Sequence, residues 1–144
     1  MIHFFDTSAL VKLFSNEPGS KRVQEIVLNT SNETVILELA EIELLSAVYR
    51  KYRNSEIPGD KIKPIRRAIE LQLQGFTIIP LGSDIMEESK KLIEAYGKDF
   101  GLRTLDAIHV AGWNVVSELD WIFVSSDINQ SRVVEKQNNQ VLLI

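Results

Sequence analysis

Four acidic residues, Asp6, Glu43, Asp106 and Asp127, stand where a chain of alternating strands and helices can bring carboxylates together. Asp6 and Asp127 follow the apolar runs His3–Phe5 and Trp121–Ser125, which read as strands one and four. Glu43 falls in the first turns of a long helix after strand two, and Asp106 in the first turn of the helix before strand four. In a parallel sheet, strand carboxyl ends and helix N-termini share one edge, and ligands bind in the crevice there. Singly, each acid has a plainer account. Asp is a favoured N-cap, and an acid in a first helical turn complements the helix dipole by about 0.3–1 kcal/mol. That account is the stronger one for Asp106 and Asp127 taken alone. Glu43 resists it, because its helical neighbours Leu39, Ala40, Ser46 and Ala47 form an apolar, small-residue face. An ionised acid buried without a partner costs several kcal/mol, and no basic partner stands nearby. Four like charges in one pocket call for a hard cation. Mg²⁺ or Mn²⁺ takes oxygen ligands and binds phosphate oxygens, and one or two such ions can activate water against a phosphodiester.

Other residues weigh less. His3 alternates with apolar neighbours and reads as packing or edge surface; His109 follows Asp106 by three residues and reads as a hydrogen-bonding neighbour. No HExxH and no Gly-rich phosphate loop is present, and Ser8, Ser125 and Ser126 lack the surroundings of a nucleophile. Ser8, Ser125 and Arg103 are expected to position substrate. Glu41 competes with Glu43, but two residues on a helix differ by about 200°, so one of them faces the site. Glu41 pairs by spacing with Glu38, which selects Glu43. Lys12 reads as surface charge.

The elements that must position these residues alternate. A helix capped by Thr7 or Ser8 is predicted through Phe14, and another from Ser20; Thr34–Leu37 is the second strand. A long helix runs from about Glu38 to Arg53, and a further one from Asp60 to Gln74, closed by Gly75. Phe76–Pro80 is the third strand. A helix capped by Ser83 or Asp84 then reaches Tyr96, with a turn over Gly97–Gly101. Thr104 caps a helix from Leu105 to about Ser117, Ile128–Lys136 is a short helix, and Val141–Ile144 a fifth strand. This order predicts an α/β fold whose parallel sheet is covered on both faces.

Composition bounds the rest. A chain of 144 residues, 44% hydrophobic, suits a single domain over residues 1–144 with a full core. The absence of cysteine excludes disulfides and thiolate metal sites. The apolar N-terminal run is short and lacks a basic flank, so neither a signal peptide nor a membrane span is expected, and a cytoplasmic location follows. The net charge of −4 argues against indiscriminate nucleic-acid binding. It is uneven: Arg50, Lys51, Arg53, Lys61, Lys63, Arg66 and Arg67 face only Glu56 and Asp60 in their segment. That segment reads either as a solvated helical surface or as a footprint for a polyanion or an acidic partner.

Four stretches carry a resemblance. Asp6-Thr7-Ser8-Ala9-Leu10-Val11-Lys12-Leu13 resembles the opening of PIN-domain ribonucleases, more narrowly of the VapC-type toxins of toxin–antitoxin pairs. Leu39–Ala47 is similar to the second motif of that family, where Glu43 matches its acid ahead of a Ser-Ala pair. Leu102–Ala111 resembles the third motif around Asp106, and Phe123–Asp127 the fourth, with Ser125 where Thr is commoner. After Asp127 the chain reads Ile128-Asn129-Gln130-Ser131, where relatives often carry a basic residue. The resemblance implies a three-layer α/β/α sandwich around a five-stranded parallel sheet and Mg²⁺- or Mn²⁺-dependent cleavage of RNA. It also implies a homodimer, and inhibition by a VapB-like antitoxin whose tail occupies the active-site groove. Asp6, Glu43, Asp106 and Asp127 are the catalytic and metal-ligating residues it implies. Two other classes compete. One is a PIN-like binding module, catalytically silent, acting through a protein or RNA partner. The other is a divalent-metal phosphatase, weakened by Ser8 at the place of the second acid of an Asp-x-Asp opening.

Overall fold

A computed structural model describes residues 1–144. Five strands, β1 (Ile2–Phe5), β2 (Glu33–Leu37), β3 (Thr77–Ile79), β4 (Ile122–Ser125) and β5 (Val141–Leu143), form one sheet in the order β3-β2-β1-β4-β5. Every pairing is parallel. Seven helices cover it: α1 (Thr7–Leu10), α2 (Ser20–Val27), α3 (Leu39–Arg53), α4 (Ile62–Leu73), α5 (Ser83–Phe100), α6 (Thr104–Val116) and α7 (Ile128–Lys136). The three-layer α/β/α arrangement expected from the sequence is present.

The period-two alternation of strand side chains builds the two cores. Phe4, in register with Val35 and Phe123, points to the face covered by α5, α6 and α7, where Trp113, Leu92 and Val133 are buried. Phe5 points to the opposite face, with Leu10, Val23, Leu44, Val48 and Ile69. On the first face Phe4, Phe123 and Trp113 pack as a trio, with ring centroids 5.6–5.9 Å apart. The α6 helix lies close against the sheet because residue 112 is glycine: a Cβ there would stand 2.5 Å from Leu37 Cδ2.

The sheet order sets the site. β1 is central and pairs with β2 on one side and β4 on the other, so the chain reverses its direction of winding beside β1. A crevice opens at the carboxyl ends of strands at such a reversal.

Several boundaries differ from those predicted. Asp6 itself, not Thr7 or Ser8, caps α1, and α1 tightens into a 3₁₀ turn over Val11–Phe14. Gly82 and Arg103, rather than Ser83, Asp84 or Thr104, hold the cap positions of α5 and α6. The predicted turn at Gly97 is helical. α5 runs on to Phe100 because Tyr96 and Phe100 pack edge-on one turn apart, and Gly101 ends it in the left-handed region at φ 64°. His3 is buried, as its place on the central strand requires. No helix is long and apolar enough to cross a membrane.

Candidate active site

At the carboxyl edge of the sheet a cleft of about 530 Å³ is lined by Asp6, Glu43, Asp106 and Asp127, together with Thr7, Ser8, Arg103, His109 and Gln130. All four predicted acids therefore face one cleft.

Asp6 forms its floor. Its N–H extends the β1–β4 ladder to Val124 O at 3.0 Å, which fixes the carboxylate just beyond the strand end. Oδ1 accepts the Ala9 N–H at 2.9 Å, the Ser8 hydroxyl lies 2.8 Å from both oxygens, and the Ser125 hydroxyl donates to Oδ2 at 2.8 Å. Asp6 is wholly buried. Burial pushes its pKa above the ordinary carboxylate value, against the charge His109 carries when protonated and the donors from Ala9, Ser8 and Ser125.

Ser8 and Ser125 also tie the two strand ends together. Ser8 Oγ accepts the Ser126 N–H at 2.9 Å, and Ser125 Oγ accepts the Asp127 N–H at 2.9 Å. Ser125 is fully buried, so its hydroxyl serves Asp6 and the β4–α7 turn, behind the surface a substrate would touch.

Asp127 caps α7, its Oδ1 accepting the N–H groups of Asn129 at 2.8 Å and Gln130 at 3.0 Å. Asp106 sits one turn into α6, where Oδ2 accepts the Arg103 N–H at 3.2 Å and Arg103 Nε at 3.0 Å. Gln130 Nε2 donates to Asp106 Oδ1 at 3.2 Å. The exposed Arg103 guanidinium also approaches Asp127 Oδ2 at 3.8 Å, so it bridges the two aspartates. Its pKa is raised by the Asp106 hydrogen bond first and by the charges of both aspartates.

Glu43 does have a partner, contrary to the expectation from sequence. His109 Nε2 lies 2.6 Å from Glu43 Oε2, and the Thr7 hydroxyl donates to the same oxygen. Burial alone would push the Glu43 pKa up; the hydrogen bond and charge of His109, with Thr7, outweigh it and hold the carboxyl below its ordinary range. Thr7 and Gln130 are site residues that sequence reasoning did not place, while His109, read there as a hydrogen-bonding neighbour, bonds Glu43. For Thr7 and Gln130, positions next to Asp6 and three residues after Asp127 were the available signal.

The donor chemistry suits a hard cation: carboxylates, hydroxyls and an amide, with no thiolate. No three acids converge on one ion position, because Arg103 holds Asp106 and Asp127 while hydroxyls and amides hold Asp6. Asp6, Asp106 and Asp127 would hold such a cation, and Arg103 now neutralises the last two.

Known proteins supply the context. The PIN domain family model matches residues 3–136. No curated protein sequence matches. Among solved structures, FitAcB from Neisseria gonorrhoeae superposes with a TM-score of 0.70 at 17% identity, covering 99% of this chain and 96% of that one. VapBC-1 from nontypeable Haemophilus influenzae gives 0.66 at 17% identity, covering 99% and 98%. VapBC2 from Rickettsia felis, bound to a DNA fragment from its promoter, gives 0.66 at 14% identity over 100% and 99%. At such identities these structures establish the shared fold. With the family match across nearly the whole chain, they place this protein in the PIN domain family.

Proposed function

We propose that this protein is a divalent-metal-dependent endoribonuclease of the VapC type, acting as one cytoplasmic domain and restrained by a cognate antitoxin. The observation that carries this reading is the alignment of Asp6, Glu43, Asp106 and Asp127 along one cleft at the carboxyl edge of the sheet. Asp6, Asp106 and Asp127 would hold Mg²⁺ or Mn²⁺, with Glu43 beside them. When bound, such a cation supplies Lewis-acid polarisation of the phosphodiester and lowers the pKa of a coordinated water. Glu43, ionised at neutral pH, orients the attacking water and takes its proton at Oε1. The water oxygen bonds to phosphorus in line as the P–O3′ bond breaks. The 3′ oxygen leaves with the bonding pair and takes a proton from solvent water, and the products carry 5′-phosphate and 3′-hydroxyl ends. Arg103, exposed at the cleft, would guide a substrate phosphate, and the basic segment from Arg50 to Arg67 extends that guidance.

Two surfaces support partners. An apolar groove of about 270 Å³ between the 3₁₀ turn, α3 and α4 is lined by Phe14, Leu44, Val48, Ile57, Ile65 and Ile69. It shares Val11 and Ala47 with the cleft, so an antitoxin segment seated in it ends at the acids. On the outer face of α3, Ile42, Leu45, Tyr49 and Tyr52 form an exposed stripe. An antiparallel second copy would cover it, setting Glu41 near the start of α3 against Arg53 at its end. That pairing accounts for a homodimer.

The test is cleavage of mixed structured RNAs with Mg²⁺, Mn²⁺ or EDTA. Wild type should cleave with metal alone, and Asp6→Asn and Asp106→Asn should each lose about 100-fold or more. A second reading, a catalytically silent binding module, draws on the protein donors already satisfying the acids. It would be favoured if folded wild type shows no cleavage with either metal.

A further inference from the structure

His109 is 2% exposed, lies on α6 one turn beyond Asp106, and reaches across to α3 and α1. Its Nε2 is 2.6 Å from Glu43 Oε2 and 3.2 Å from Thr7 Oγ1, while Nδ1 is buried and has no hydrogen-bond partner. A carboxylate only accepts, so the proton sits on Nε2. A histidine kept for packing alone would be poorly chosen here. It leaves one ring nitrogen unsatisfied, which an apolar side chain of similar volume would avoid. Its polar engagement is confined to two residues that line the cleft. With Thr7 it places two donors on Oε2 of Glu43, leaving Oε1 without a protein partner.

We propose that His109 is a positioning residue: with Thr7 it clamps Oε2 of Glu43 so that Oε1 alone is presented to the cation and the attacking water. This inference rests on the metal-dependent reading above and adds to it a residue that touches neither metal nor RNA. A carboxylate free to rotate would offer either oxygen, and partners that fix a ligand in this way are worth about 10–100-fold in metal affinity or activity.

The test is a double-mutant cycle between His109 and Glu43, read by calorimetric titration of Mn²⁺ and, separately, by kcat and KM on RNA. His109→Phe should weaken Mn²⁺ binding or lower kcat by about 10–100-fold with KM little changed. His109→Gln, whose amide nitrogen reaches the Nε2 position, should restore most of the loss. In a Glu43→Gln background, His109→Phe should have almost no further effect. Should His109→Phe fail to fold, Thr7→Val, which removes the other donor at nearly equal volume, enters the same cycle with the same expectation. An effect that persists undiminished without the Glu43 carboxylate, or a Gln variant as impaired as Phe, would overturn the assignment. Mn²⁺ binding by wild type with a cycle of this failing kind overturns His109 alone. No Mn²⁺ binding by wild type overturns the metal reading, and the role of His109 with it.

Discussion

The carboxylate of Asp6 is wholly buried, yet hydroxyl and amide donors surround it rather than a cationic side chain. Burial raises its pKa in the folded protein. A raised carboxyl contributes stability that is fully present below its unfolded pKa and lost as pH rises through the folded value. Above its unfolded value Asp6 therefore opposes folding. Asp6→Asn should raise the melting temperature measured in EDTA at pH 7 by roughly 2–8 °C, with the gain shrinking as pH falls toward about 4. The same variant should be inactive, so stability and activity move in opposite directions at one atom pair. Glu43 has the opposite sign: its depressed pKa contributes stability above the unfolded value, lost as pH falls through the folded one. The four acids were legible in the sequence because each sits at a strand end or in the opening turns of a helix. The His109–Glu43 pair was not, since its members lie 66 residues apart, on helices that cover opposite faces of the sheet and meet only at its carboxyl edge.

Helices and strands followed their hydrophobic periods closely, and the misplaced boundaries share a cause. Caps went to the residue whose backbone is extended just before the helix, such as Asp6 after β1 or Arg103 between α5 and α6, while hydroxyl residues one place later looked better by type. In α5, the aromatic pair Tyr96 and Phe100 outweighs a mid-helix glycine that costs about 1 kcal/mol. Gly112 shows the reverse, a glycine the packing requires. Gly112→Ala brings a Cβ to within 2.5–2.8 Å of three atoms of the fully buried Leu37. The gain in helix propensity is about 1 kcal/mol, and overpacking a closed core costs about 1–3 kcal/mol. The expected net result is a lower urea midpoint. Because α6 also carries Asp106 and His109, activity should fall further than the stability change alone explains.

At the scale of the whole molecule, the order of strands was not legible, because periodicity says which residues face a core and nothing about which strands are neighbours. The helices between Glu38 and Gln74 were legible as candidates for partner contacts, but the stripe of Ile42, Leu45, Tyr49 and Tyr52 on α3 was not, because exposure is set by what the fold leaves uncovered. Tyr49→Glu should convert a dimer into a folded monomer in light scattering, with an unchanged circular dichroism spectrum. The strand order has a further consequence for biosynthesis. β1 is made before its partner β4, and the Ser125 hydroxyl that completes the Asp6 floor lies 119 residues after Asp6. A chain still being made, or cut short before β4, holds Asp6 with the Ser8 hydroxyl but without Asp127 and without the Ser125 hydroxyl. The cleft is thus assembled only once β4 and Asp127 have been made and have joined β1.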